Sequence, residues 1–259
     1  MSILKTDSIY MQFGGLTAVS NFNLKLKEGE LVGLIGPNGA GKTTIFNMLT
    51  GIYKPTKGKI YYYDQKINGL GVDKITSLGI ARTFQNIRLF SNMTVLDNVK
   101  VGAHVHIKSH VWKAIMHWPS YLQEENSIDE RSMELLKVVH LEDLKDSLAG
   151  SLPYGEQRRL EIARALATNP KLLLLDEPAA GMNPQESSDL MEFILDMQNK
   201  FKLTIILIEH DMKVVMGICK RILVIDYGKT IAKGKPLEIQ HNPEVIKAYL
   251  GVEAATNYA

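Results

Sequence analysis

The chain has 259 residues, 45% hydrophobic and 22% charged, with 20 Gly and 9 Pro; this supports one large α/β domain or two small ones and excludes collagen-like, disordered and low-complexity classes. Thirty Lys and Arg against 28 Asp and Glu leave a formal charge of +2, too weak a field to make nucleic acid the default partner. The single cysteine, Cys219, excludes an intrachain disulfide and fits a reducing compartment as a buried small hydrophobe.

The N-terminus, MSILKTDSIYMQF, lacks the basic start and apolar run of a signal peptide, and no segment approaches the roughly 18 consecutive apolar residues of a membrane span. The expectation is a cytosolic chain that meets a membrane through partner proteins. Ile3–Gln12, Phe22–Leu26 and Lys59–Tyr63 alternate in polarity between Gly-containing turns and predict an antiparallel sheet. Leu31–Ile35, Leu172–Leu175, Thr204–Ile208 and Ile222–Ile225 are instead unbroken apolar runs, the habit of strands buried on both faces of a parallel sheet. Helical periods at Thr43–Thr50, Gln157–Thr168 and Ser187–Lys200 stand between them. Residues from about 90 to 155 read as helices, Glu130–Val139 most clearly, and predict a helical subdomain inserted into the α/β core. The tail after Leu250 is expected to fray.

The most specific feature is Gly36-Pro37-Asn38-Gly39-Ala40-Gly41-Lys42-Thr43, a GxxxxGK[ST] sequence between a predicted strand and a predicted helix that continues through Thr44. Glycines let backbone N–H groups turn inward around phosphate oxygens, and the helix N-terminus adds its dipole. Lys42 then supplies a point charge near the β- and γ-phosphates, and Thr43 a hydroxyl for Mg²⁺. Farther on, KLLLLDE delivers Asp176 and Glu177 at the carboxyl end of a strand, where ligands sit in parallel α/β sheets. Asp176 suits Mg²⁺ and Glu177 suits the general base that polarises an attacking water, although consecutive acids ahead of Pro178 also suit a helix start.

With these residues in place the sequence resembles the ATP-binding-cassette family, the ATPase subunits of ABC transporters, across nearly its whole length. That resemblance implies a P-loop NTPase core with an antiparallel β subdomain (residues 1–88 and 156–250), an inserted helical subdomain (89–155), a flexible tail (251–259), and ATP and Mg²⁺ as cofactors. It implies that Phe13 stacks on adenine, that Gln85 in TFQNIRLF contacts Mg²⁺ and the attacking water, and that His210 in TIILIEHDM contacts the γ-phosphate. The stretch Leu152-Pro153-Tyr154-Gly155-Glu156 aligns with the family signature LSGGQ, whose loop faces the nucleotide of an opposed second cassette. Pro153 brings neither a hydroxyl nor an N–H to that loop, while Gly155 N–H and the start of the next helix, expected near Gln157, remain. Asn183 stands where the family usually has Asp.

The stretches SLPYGEQRRLEIARAL, LDEPAAGMNP and NPEVIKAYLG are similar to the ATPase subunits of branched-chain amino acid importers. The implied assembly has two permease subunits, a second ATPase subunit, paralogous or identical, and an extracytoplasmic substrate-binding protein, with this chain peripheral on the cytoplasmic face and no nucleic acid partner. A transporter for urea, short-chain amides or another polar amino acid, or a low-turnover regulatory subunit, are the alternative readings. A nucleic-acid or ribosome remodeller would need a second cassette or coiled-coil arms. His104, His106, His110 and His117 lack interleaved Cys or carboxylates at metal spacing, and the apolar residues among them suit either a permease contact or ordinary core.

Overall fold

The computed structural model describes residues 2–106 and 119–250. In chain order the first elements are β1 (Ser2–Phe13), β2 (Leu16–Lys27), β3 (Leu31–Ile35), α1 (Lys42–Leu49), β4 (Lys57–Tyr62), β5 (Gln65–Lys66), α2 (Val72–Ser77) and β6 (Ile80–Arg82). Helices α3 (Val95–Ala103), α4 (Pro119–Val138) and α5 (Tyr154–Ala167) follow. The chain closes with β7 (Leu172–Asp176), α6 (Pro184–Phe201), β8 (Thr204–Ile208), α7 (Met212–Ile218), β9 (Arg221–Asp226), β10 (Lys229–Gly234), α8 (Pro236–Gln240) and α9 (Pro243–Leu250). Two compact units result, one of residues 1–75 and 172–259, the other of residues 76–171.

In the first unit, β7, β8, β3 and β9 are hydrogen-bonded in parallel, and β10 closes the edge antiparallel to β9. Every residue of β3, β7 and β8 is buried, as unbroken apolar runs require when both faces of a parallel sheet are covered. The antiparallel sheet, in the order β2-β1-β4-β5, gathers the alternating N-terminal segments. Its buried face takes Ile9, Val19, Phe22, Leu24 and Leu26, and the buried Thr6 hydroxyl is spent on the ladder, accepting from the Leu24 amide at 2.7 Å. The turn between β9 and β10 carries Gly228 into the space beside Ala18, where a Cβ would lie 2.5 Å from the Ala18 carbonyl oxygen.

In the second unit, α3 packs against α4 and α5. Thr94 caps α3 by accepting from the Asp97 amide at 3.0 Å, and the buried Asn98 amide holds both backbone groups of Phe90 and the Thr94 carbonyl. Gly102 is the point of closest approach: a Cβ there would stand 2.3 Å from the Arg164 carbonyl oxygen and 3.0 Å from the Ala167 Cβ. Gly102→Ala must therefore push α3 off α5, and a destabilisation of about 1–3 kcal/mol is expected from such overpacking. The midpoint of denaturant unfolding measures it, and an unchanged midpoint would show that the helices part at no cost.

The expected frayed tail, and His110 and His117 with most of the apolar residues around them, lie outside the described residues. His104 is exposed at the end of α3.

Candidate functional site

The loop from Gly36 to Gly41 leaves β3 and enters α1 through backbone shapes that only glycine adopts freely. Gly36 has φ 153°, with the Ile225 carbonyl oxygen 2.0 Å from where a Cβ would stand, and Gly41 has φ 103° with the Ala18 oxygen at 2.6 Å. The Ala40 amide donates to the Pro37 carbonyl at 3.1 Å and the Ala40 carbonyl accepts from Gly228 at 2.9 Å, so the β9–β10 turn braces the loop from outside. Asn38 and Gly39 are exposed on its rim. Helix α1 opens at Lys42, and the amides of Lys42, Thr43 and Thr44 belong to a first turn, with no carbonyl four residues back inside the helix. Thr43 is exposed there, and Thr44 half-buried.

Lys42 is only 6% exposed, and its ammonium crosses the loop to donate to the carbonyls of Gly36 at 2.7 Å and Pro37 at 3.0 Å. Burial pushes this lysine below its ordinary range, while the carboxylates of Glu177 and Asp176 act in the opposite sense and favour the charged form. The two carboxylates that act on this ammonium are those of the last residue of β7, Asp176, and of the residue after it, Glu177. Asp176 is buried as the last residue of β7. Glu177 is held in the left-handed region at φ 47°, its amide donating to the Ile208 carbonyl at 2.9 Å. Such a conformation in a non-glycine residue costs on the order of 1–2 kcal/mol and persists where the surroundings over-determine it.

His210 follows β8 and brings its Nδ1 to 3.7 Å from Glu177 Oε2, the histidine side chain 58% and the glutamate side chain 15% exposed. The residue before it, Glu209, lies just past the apolar run Thr204–Ile208, and nothing in the sequence marked it as part of the site. It is fully buried, its Oε1 accepting from the Ala179 amide at 2.7 Å and its Oε2 from the His210 amide at 3.2 Å. Glu209 thus binds the turn after Glu177 to the turn that carries His210, and burial raises its carboxyl despite these bonds. Asn183 spends its amide oxygen on α6, accepting from the Gln185 and Glu186 amides at 2.9 Å each, and Glu186 returns a bond to the Asn183 amide at 2.8 Å. Phe13, at the end of β1, is 42% exposed, with Tyr53 edge-on at 5.3 Å between ring centroids. An aromatic face left half open by a supporting ring is suited to stacking.

Gln85, Pro153, Gly155 and Glu156 belong to the second unit. Gln85 is exposed in the loop after β6. Pro153 stands at the N-cap of α5 with φ −55°, and the helix begins at Tyr154 rather than near Gln157. The Gln157 amide closes the first turn on the Pro153 carbonyl at 3.0 Å. The earlier start follows from proline's fixed φ, which suits a helix entrance, and it puts the amides of Tyr154, Gly155 and Glu156 at the head of the helix. Among the described residues no group of three His, Cys, Asp or Glu is arranged to hold a metal ion.

Residues 19–180 match the family model described as ABC transporter, and residues 229–255 a second described as branched-chain amino acid ATP-binding cassette transporter. The chain is 48% identical over 249 residues to the high-affinity branched-chain amino acid transport ATP-binding protein LivG of Escherichia coli strain K12, covering 96% of this chain and 98% of that one. It is 47% identical over 249 residues, with the same coverage, to the corresponding protein BraF of Pseudomonas aeruginosa. Among solved structures, the ADP conformation of an ATP-binding cassette of an ABC transporter superposes with a TM-score of 0.84 at 31% identity, over 97% of this chain and 100% of that one.

Proposed function

The chain belongs to the ATP-binding subunits of ABC transporters, and from that premise we propose that it is the ATPase of an importer for branched-chain amino acids. The observation that carries the catalytic half of this reading is the phosphate loop, with Lys42 sensing both Asp176 and Glu177 and with Glu177 facing His210. The names and near-complete coverage of the relatives carry the substrate half.

In this reading the amides of residues 36–44 cradle the triphosphate of ATP, Lys42 exchanges its loop carbonyls for β- and γ-phosphate oxygens, and Phe13 stacks on the adenine. Glu177 takes a proton from the attacking water, and His210 donates a hydrogen bond toward the γ-phosphate. Thr43 and Asp176 are the Mg²⁺ ligands of this proposal, a hydroxyl and a buried carboxylate being the hard oxygen donors that this ion selects, and the amide oxygen of Gln85, proposed from the family resemblance, is a donor of the same class. When bound, Mg²⁺ supplies charge neutralisation on the phosphate oxygens. Gly155 and Glu156 at the head of α5, beside Pro153, are assigned to the nucleotide held by a second cassette, paralogous or identical.

Two permease subunits and, through them, an extracytoplasmic binding protein complete the assembly, with this chain peripheral on the cytoplasmic face of the membrane. No helix among the described residues is long and apolar enough to cross a membrane, which agrees with attachment through the permease. The test is uptake of labelled leucine, isoleucine and valine by cells whose only copy carries Lys42→Ala. Uptake at the level of a deletion strain is expected, and uptake at the parental level would overturn the importer assignment.

A further inference from the structure

The second unit contains a buried ion pair that the nucleotide chemistry above does not use. Arg158, fully buried on α5, places Nη1 2.7 Å from the Phe84 carbonyl oxygen and 2.9 Å from Glu161 Oε2. Its Nη2 lies 2.9 Å from the Gln85 carbonyl and 3.1 Å from the Tyr154 hydroxyl. Glu161 answers from the other side, its Oε1 accepting from the amides of Phe84 at 3.4 Å and Arg88 at 3.3 Å. The guanidinium thus holds the carbonyls of the Gln85 loop while the carboxylate holds its amides. A planar fork with fixed donor directions cannot follow one acceptor without pulling on the others.

Tyr154 is the member of this set that also forms the first residue of α5, and the residue remains 45% exposed. The guanidinium carbon of Arg158 is 5.8 Å from the ring centroid. A glycine in this place, as in the LSGGQ pattern, has no hydroxyl to offer. The departure from that pattern therefore adds a bond between the entrance of α5 and the backbone of Gln85.

We propose that Tyr154 and Arg158 are positioning residues that tie the Gln85 loop to the entrance of α5, so that a displacement of either one is carried to the other. This rests on the ATPase reading above, because it concerns where Gln85 stands when it acts. Loss of the tie lowers the probability that Gln85 is in register during hydrolysis, whereas the phosphate loop, in the other unit, keeps its own scaffold. The signature of a positioning role is consequently a fall in kcat with KM for ATP held.

Tyr154→Phe keeps the ring and removes the acceptor. In the purified full chain, hydrogen exchange in a peptide covering residues 84–88 is expected to quicken several-fold, and kcat for ATP to fall about fivefold at constant KM, the usual weight of one hydrogen bond. In a Gln85→Ala background the same substitution is expected to change kcat by less than about 1.5-fold, since the tie then has nothing left to position. Unchanged exchange at 84–88 overturns the proposal, whatever the turnover. Quickened exchange with kcat unchanged, or an equal loss of kcat in both backgrounds, overturns it as well. Absence of turnover in the parental chain would sink the ATPase reading instead, and the exchange measurement still decides whether the tie exists.

Discussion

Replacement of Glu177 by Gln is expected to slow ATP turnover by about 10²–10⁴-fold, the usual contribution of a positioned general base, while ATP binding persists. Glutamine keeps the size of the side chain and an acceptor oxygen but takes no proton at neutral pH. The backbone that aims position 177 is set independently of its side chain: the amide is bonded to Ile208, and the neighbouring turn is held through Ala179 by Glu209. The substitution should therefore remove chemistry and leave geometry. Single-turnover hydrolysis measures the first effect, and turnover at the parental rate would eliminate Glu177 as the base. The same variant, trapped with Mg-ATP, reports on the second cassette through its mass in solution. A doubled mass shows that the Pro153-Tyr154 signature is competent with a copy of itself, and a monomer that binds ATP shows that a different cassette is required.

The second large effect is expected at Arg158. Arg158→Met leaves the Glu161 carboxylate buried without its cation, and breaking a buried pair in this way costs about 3–5 kcal/mol. At roughly 2–4 °C per kcal/mol for a chain of this size class, the thermal midpoint should fall by on the order of 10 °C. Burial already raises the Glu161 carboxyl, and Arg158 is the largest opposing influence. With Arg158 removed the folded-state pKa of Glu161 rises further above its unfolded value, so the folded protein binds this proton more tightly than the unfolded chain does. Stability of the variant then decreases as pH rises through that interval, and the deficit shrinks as pH falls toward the unfolded carboxyl value. Removing the second charge as well, in Arg158→Met with Glu161→Leu, should return most of the lost stability, because the isolated buried charge and not the missing attraction carries the cost. Unfolding midpoints for the single and double variants at two pH values measure both effects, and equal midpoints for the two variants would show that Glu161 is not strained by the loss of its partner.

The elements most legible in the sequence are those whose physical cause is local. β3 and β8 have the bounds expected from their apolar runs, and β7 extends one residue beyond its own, to Asp176. A run of buried residues needs no knowledge of its neighbours to be recognised, because two covered faces demand it. The strands β6 and β10 were missed: IAR is three residues long, and KTIAKG, with three of its six positions polar or charged, is a strand because β9 offers it an edge. The beginning of α5 was placed three residues late, since Pro153 and Gly155 read as loop residues until the turn closed by Gln157 is seen.

The same division runs through the candidate site. The phosphate loop and the acids at 176 and 177 are contiguous residues at the end of a strand, so strand direction and spacing alone bring them to one edge of a parallel sheet. What contiguity could not show is how the separate turns are locked together. Glu209 reaches Ala179 across thirty positions, Gly228 reaches Ala40 across 188, and Arg158 reaches Phe84 and Gln85 across more than seventy. In the sequence Glu209 is a charged residue that follows an apolar run, and Arg158 with Glu161 is an ordinary i,i+3 pair that would normally face water. Whether such groups are solvated or buried is decided only when the elements pack, because burial turns a weak surface pair into a charge network whose partners must all be satisfied. The amino-acid sequence by itself determined the class of fold and the residues proposed to meet phosphate; the tertiary structure decided which buried charges hold the candidate site's turns together, since the low dielectric that gives them their strength exists only in the folded interior.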